Sequence, residues 1–430
     1  MRRAAAPGLD AFACDRDVKQ LREGAHRAAA LQETLRRARA VAPRIGLTRL
    51  GFLTGLDHVG APVAMAVRPN ARSAAISLGK GLTDDHAAAS ALMESIECWH
   101  AETIARPLVA APSTRPPGRP LDLSRLPPLT ETAWTSDLEF PWIEGVDLMS
   151  GESLWAPYEV VHAAYTAPMP PGSGCFFAST NGLASGNTPT ESLVHAMTEV
   201  IERDATTLWI FADEAARESR RIDPASVADP ACRSLIDRFD AAGLMTAIWE
   251  TTSDVGVPAF FVWIMEREDG IGGAARSAIG QGCHLYPAIA LSRALTEAAQ
   301  HRLTVISGAR DDLGAEEYEA PDPEIQALRR QLLAEGATPR RFVPAPAFAS
   351  DHLGEDAAFI VERLAAVGVT EVFALDLSKP EIGVAVTRAV IPGLEGPHDH
   401  ARYAPGARAT AVIEAAAQVE QAAEGTRACA

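Results

Sequence analysis

Three stretches of the chain follow one plan: glycines, then a helix-patterned run with acidic groups near its end. The first reads Gly79-Lys80-Gly81 and then Ala91-Leu92-Met93-Glu94-Ser95-Ile96-Glu97. The second reads Asn181-Gly182-Leu183-Ala184-Ser185-Gly186-Asn187 and then Ala196-Met197-Thr198-Glu199-Val200-Ile201-Glu202. The third reads Gly280-Gln281-Gly282 and then Ala294-Leu295-Thr296-Glu297-Ala298-Ala299-Gln300. In this frame Glu94, Glu199 and Glu297 coincide, as do Glu97, Glu202 and Gln300. An offset of 105 residues takes Gly81 to Gly186 and Glu97 to Glu202. That spacing is too long for a solenoid, whose repeats run about 20–50 residues, and points to a duplicated α/β unit. The 430 residues leave room for about three folding units, or one large α/β body.

The second helix shows what chemistry the plan offers. Each residue advances about 100° around a helix, so Glu191, His195, Glu199 and Glu202 fall within about 80° of one another. Leu193, Val194, Met197 and Ile201 take the opposite side and suit a core. Taken alone, such a stripe also fits a solvated acidic face. The repeat adds Glu94 and Glu97, at i,i+3 on the matching helix, and duplicated symmetry would bring the two stripes face to face. Several like charges converging without a cation repel, so the arrangement implies a divalent ion. Mg²⁺ is favoured, because it takes hard oxygen ligands and shares them with phosphates. Gly186-Asn187 before a helix, with Thr188 or Thr190 as a cap, would present backbone N–H groups to phosphate oxygens. Such turns are also routine architecture. No GxxxxGK[ST] loop, GxGxxG fingerprint, kinase signature or GxSxG elbow occurs. His162 and His195 are candidate bases and Cys175 and Cys283 candidate nucleophiles, but nothing in the sequence pairs them.

Charge and cysteine usage narrow the class. Asp and Glu total 56 against 39 Lys and Arg, a net charge of −17 that disfavours nucleic acid as a partner. Lysine occurs only at Lys19, Lys80 and Lys379, which draws attention to Lys80 inside its glycine pair. Six dispersed cysteines without a CxxC pair give neither a zinc tetrad nor a disulfide framework and fit a reducing, cytoplasmic setting. The longest apolar runs, such as 257–265, are too short to span a bilayer. Asp10 interrupts the stretch after Met1-Arg2-Arg3, so no signal peptide is expected.

Residues 16–40 read as a charged helix, 62–67 as a strand, and the proline-rich 107–128 as a surface connection. Further expectations are a buried strand at 257–265, an acidic excursion at 311–325, a helix at 359–367, strands at 369–377 and 383–390, and a helical tail.

The run Ser179–Asn187 leading to Glu199-Val200-Ile201-Glu202-Arg203-Asp204-Ala205 strongly resembles the YcaO family. So does Gly79-Lys80-Gly81 with Ser90-Ala91-Leu92-Met93-Glu94-Ser95-Ile96-Glu97, and a fainter echo stands at Val390–Glu395. The similarity runs from about residue 22 to residue 310. It implies ATP- and Mg²⁺-dependent activation of backbone amides in ribosomally made peptides. The implied fold is α/β, with internally duplicated sheet-plus-helix units around a central nucleotide cleft. The corresponding organisation is a helical segment at 1–45, a catalytic body at 46–400 and a helical tail at 401–430. The resemblance puts Glu94, Glu97, Glu191, Glu199 and Glu202 on Mg²⁺. It makes Asn187, Arg203 and Arg293 nucleotide or phosphate contacts, with Glu297 in support and Arg203, Arg293 and Glu297 as the catalytic set. Arg27, Thr34 and Ser90 match further nucleotide-binding positions. One departure is Cys98, where many members carry arginine.

The run Arg22–Arg27, Thr54-Gly55-Leu56-Asp57 and Val67-Arg68-Pro69-Asn70 resemble the branch that works with TfuA-type partners and forms thioamides. The chain ends Gly425–Ala430, without the proline-rich tail of azoline-forming members. Expected partners are a precursor peptide or protein and a TfuA-like sulfur-delivery protein, with no nucleic acid, no membrane and a homodimer as the family-based guess. The alternatives are an azoline-forming cyclodehydratase, a non-catalytic peptide- or partner-binding scaffold, and an unrelated Mg²⁺-dependent ligase acting on a small molecule.

Overall fold

The computed structural model describes all residues except 1–5, 21–23, 268–276, 309–326, 328–338 and 429–430. Three antiparallel sheets are each backed by a helix that follows directly from one of their strands. In the first unit α1 (Leu31–Val41) precedes β1 (Arg49–Phe52), β2 (Val63–Val67) and β3 (Ile76–Lys80), paired in that order, and α2 (Asp84–Glu102) follows. Leu35, Ala38 and Val41 of α1 pack on Ala88, Leu92 and Ile96 of α2.

The second unit contains β4 (Leu108–Pro112), β5 (Glu139–Asp147), β6 (Ser153–Pro157) and β7 (Leu183–Gly186), followed by α3 (Pro189–Phe211). In the third, α4 (Glu214–Glu218), β8 (Arg221–Ile222), α5 (Pro230–Ala241), β9 (Leu244–Glu250), β10 (Ala259–Glu266) and β11 (Ser277–Cys283) lead into α6 (Pro287–Ser307). Its sheet runs β11-β10-β9-β8. The chain then returns to the second unit. After α7 (Leu353–Ala366), β12 (Phe373–Asp376) and β13 (Ala385–Val390) enter between β5 and β7, giving the order β4-β5-β12-β13-β7 with β6 on β5. The helix α8 (Ala407–Ala428) ends the described chain.

The repeat frame is structural. α2, α3 and α6 begin after Thr83, Thr188 and Tyr286, separated by 105 and then 98 residues, the offsets that superpose their glutamates. Thr83 and Thr188 cap their helices by accepting from the N–H groups of His86 and Glu191. The glycines have a different task from the one their position before helices suggests. A Cβ on Gly79 would strike the Ala87 carbonyl and the Ala91 nitrogen. A Cβ on Gly282 would strike the Ala290 carbonyl and the Ala294 nitrogen, the same positions one frame on. Both glycines let a helix backbone lie directly on its strand. Gly79 and Gly282 therefore correspond, in the same frame that superposes Glu94 on Glu297.

Two local expectations change. The helix expected over 16–40 starts only at Leu31, because Gly24 takes a left-handed φ of 65° and the Ala28 N–H bonds to Glu191 instead of to a preceding carbonyl. The proline-rich stretch 107–128 contributes β4, an edge strand that ends at Pro112, and buries Leu121 and Leu126. The strands and helix expected near 62–67, 257–265, 359–367, 369–377 and 383–390 are β2, β10, α7, β12 and β13. The excursion expected at 311–325 lies outside the described residues. Among the described residues, no helix is long and apolar enough to cross a membrane.

Candidate functional site

α2, α3 and α6 converge on a cavity of about 480 Å³. Its wall carries Ser90, Glu94 and Glu97 from α2, Glu191, Glu199, Glu202 and Arg203 from α3, and Arg293 and Glu297 from α6. Arg27, Thr34 and Asn187 also line it, so the residues that the resemblance puts on nucleotide and metal face one space together with His195, whereas His162, Cys175 and Cys283 do not line it. The apolar half of α3 behaves as its spacing requires, with Leu193, Met197 and Ile201 buried against Ile360 and Leu364 of α7.

The carboxylates divide into two kinds. Glu191 is fully provided for: its oxygens accept from the Ala28 N–H at 2.7 Å, from the Asn187 amide at 3.1 and 3.2 Å, and from Arg27 at 3.4 Å. Thr34 donates to Asn187 Oδ1 at 2.8 Å, which extends the network to α1. Glu297 is likewise held, by an ion pair with Lys80 and by the Gln281 N–H at 3.3 Å. Burial works against its charge, but Lys80 and Arg203 overcome that and hold it at about 2.

Glu94, Glu97, Glu199 and Glu202 are under-compensated. Burial pushes Glu94 up to about 7, with Lys80 opposing and Glu199 and Glu297 adding to the rise. Burial likewise brings Glu199 to about 7, against Arg203 and with Glu202. Glu97 stands well above the ordinary range through burial, Glu199 and Glu94, although it accepts from the Ser185 N–H at 2.7 Å. Glu202 is raised by burial, with Arg203 opposing from 3.5 Å. The Arg203 guanidinium is itself pushed above its ordinary value, as Glu202, Glu297 and Glu199 outweigh its burial. Glu202 is buried and Glu94, Glu97 and Glu199 are half-buried, and four acids that resist ionising together would be relieved by a hard cation.

Among the described residues, no three His, Cys, Asp or Glu side chains converge closely enough to hold a metal unaided. The donor set fits Mg²⁺ that takes its remaining ligands from phosphates and water. Near the N-terminal strap the lining is cationic and aromatic. Arg293 bonds His195 Nε2 at 2.9 Å, and burial with Arg293 and Arg27 holds His195 well below the usual imidazole range. His26 meets His284 edge-on at 5.0 Å, and both line the cavity. Neither Cys175 nor Cys283 is an activated nucleophile, because burial raises both thiols. The same holds for Cys98, which also lines the cavity.

The family profile described as YcaO cyclodehydratase, ATP- and Mg²⁺-binding, matches residues 78–395. The chain belongs to the YcaO family. ATP and Mg²⁺ are accordingly its cofactors. A relative from Rhizobium leguminosarum bv. trifolii, an uncharacterized protein in the tfuA 3′ region, is 34% identical over 359 residues, covering 81% of this chain and 84% of its own. The solved YcaO from Methanopyrus kandleri, bound with AMPPCP and Mg²⁺, superposes with a TM-score of 0.67 at 22% identity, over 91% of this chain and 98% of that one. A heterocyclase in complex with substrate and cofactor superposes at 0.75 with 21% identity, over 90% of this chain and 55% of the heterocyclase. At these identities the two superpositions establish the YcaO fold.

The raised acids set a sign for the pH dependence of the metal-free protein. An acid with a folded pKa above its unfolded value favours folding below the unfolded pKa and loses that contribution as pH rises through the folded one. For Glu199 the window runs from the ordinary carboxyl value of 4.5 to about 7. With a chelator present, Glu199→Gln is expected to lose less melting temperature than wild type between about pH 5 and about pH 8. The buried histidines titrate oppositely in both proteins and cancel in the difference. Parallel melting curves would contradict the assignment.

Proposed function

We propose that this YcaO protein phosphorylates a backbone amide oxygen of a ribosomally made peptide or protein, and that sulfide then replaces the oxygen to leave a thioamide, ADP and phosphate. The observation that carries the reading is the group of four under-compensated carboxylates, on frame-related helices, facing a cavity that also holds Arg203 and Arg293. Bound Mg²⁺ supplies charge neutralisation along the phosphates.

The chain's own groups do the positioning. Glu94, Glu97, Glu199 and Glu202 hold the cation. Arg203 and Arg293 bind phosphate oxygens, and Lys80 keeps Glu297 charged and fixed beside Arg203. Glu191 acts through Arg27, Asn187 and the Ala28 N–H, whose places along the nucleotide it sets. Ser90 and Thr34 add hydroxyls to the same wall. An amide oxygen is a poor leaving group until phosphorylated, so the chemistry asks for oriented charge more than for a protein nucleophile. The raised thiols of Cys98, Cys175 and Cys283 agree with that demand.

Sulfur transfer is supported by the relative in the tfuA 3′ region, and we assign delivery of sulfide to a TfuA-like partner. The test is reconstitution with such a partner, ATP, Mg²⁺, sulfide and peptides encoded beside the two genes, read by mass spectrometry. Exchange of oxygen for sulfur is the expected result. Loss of water at a Cys, Ser or Thr would replace the thioamide with an azoline. Peptide binding without ADP formation would turn the protein into a scaffold.

A further inference from the structure

Among the described residues, one buried cation near the carboxylates makes no ion pair. Arg388 lies on β13, where it pairs with Leu183 of β7, while Val386 pairs with Ser185. Directly paired residues share a sheet face, so Arg388, Leu183 and Ser185 look the same way. Ser185 fixes that direction: its N–H donates to Glu97 at 2.7 Å and its hydroxyl to the Met93 carbonyl at 3.2 Å. Leu183 and Ser185 both line the cavity.

The Arg388 guanidinium is 3% exposed. Nη2 donates to the Ser179 carbonyl at 2.8 Å, while Nε and Nη1 have no partner. Among the described residues it makes no ion pair, although Tyr165, Glu199 and Glu97 lie within electrostatic range. Burial lowers its pKa, the mark of a charge whose solvation nothing has replaced. A second donor nearby is similarly placed. His162 Nδ1 accepts from the Ala164 N–H, which leaves the ring proton on Nε2, and that atom has no partner.

Buried donors are nearly always satisfied, and a buried guanidinium left short of partners marks a place that a ligand completes. A neutral amide would leave the positive charge uncompensated. An anion compensates it, and an anion held this near Glu97 of α2 and Glu199 of α3 must itself carry a cation, as a nucleotide phosphoryl group does. We propose that Arg388 binds the terminal phosphoryl group of the nucleotide, on the β-sheet side of the seat. The assignment rests on the nucleotide reading above and adds a third arginine, from outside the three repeats, to Arg203 and Arg293.

The test is calorimetry in Mg²⁺ with two probes, AMPPCP, which carries the terminal group, and ADP, which lacks it. Arg388→Gln is expected to weaken AMPPCP by about tenfold or more, the scale of one charge-assisted hydrogen bond, and to leave ADP within about twofold. Arg388→Lys, which keeps the charge but not the planar fork, should fall between. Retained ADP binding certifies the fold of each variant. Should Arg388→Gln not fold, Arg388→Lys carries the test, with AMPPCP weakened about threefold and ADP unchanged. Equal losses for both probes, or none, overturn the assignment while leaving the nucleotide site intact. A wild type that binds neither probe removes the nucleotide reading, and this one with it.

Discussion

Glu202→Gln is expected to weaken Mg²⁺-dependent AMPPCP binding by about a hundredfold or more while leaving the metal-free protein at least as stable as wild type. Glu202 is 3% exposed on α3, beside Arg203, and burial raises its pKa with Glu297 adding to the rise. Glutamine keeps the volume and one oxygen acceptor but removes the charge that the cation needs. In the absence of metal the same change relieves repulsion between Glu202 and its neighbouring acids, so binding and stability move in opposite directions. Calorimetry with and without Mg²⁺, alongside melting in chelator, reads both. An affinity within about threefold of wild type would take Glu202 out of the cation seat. Loss of binding together with loss of fold would mark it as structural.

Gly282→Val is expected to destabilise the protein by about 3 kcal/mol or more and to abolish nucleotide binding with it. The new Cβ would meet the Ala290 carbonyl and the Ala294 nitrogen, both backbone atoms of α6, which cannot swing aside as a side chain can. The helix must lift from β11, and it carries Arg293, Glu297 and Gln300. Gly354→Ala is the control. It sits in the first turn of α7 with nothing within 4 Å of an added Cβ, and alanine there should be neutral or stabilise by up to about 1 kcal/mol. Chemical denaturation of both variants checks the contrast. Near-equal midpoints would mean that the strand and helix separate more readily than their contact implies.

The acidic stripe was legible because a helix converts spacing into direction, so Glu199 and Glu202 share a side whatever surrounds them. Repetition at Glu94 and Glu97 then distinguished a site from a solvated face. The task of the glycines was not legible, because composition alone does not say that Gly79, Gly280 and Gly282 lie directly under a helix backbone. The strap around Arg27 read as helix because its conformation is fixed by Glu191, more than 160 residues away in sequence. Long-range partnerships leave no periodic trace: Lys80 stood out by rarity, but nothing local announces its bond to Glu297. Arg388 is equally silent, one arginine in a short apolar strand, visible only once its unmet donors are placed beside Glu97. The antiparallel pairing of β12 and β13 between β5 and β7 is a decision of the tertiary fold, made after a third helical unit has intervened.

The shared frame of α2, α3 and α6 has one more consequence. At one level it places Ser90, His195 and Arg293, and a turn later Glu94, Glu199 and Glu297. A seat built from three identical walls would be blind to orientation, and a nucleotide could lie in it either way round. Here the same address holds a hydroxyl, an imidazole and a guanidinium, and three like acids at the next turn are told apart by Lys80, which neutralises only one of them by a direct bond. Unequal substitution on equal scaffolding gives the cleft a head and a tail. That sense of direction, supplied by a few side chains, is what lets a near-symmetric frame present one particular phosphate to one particular neighbour.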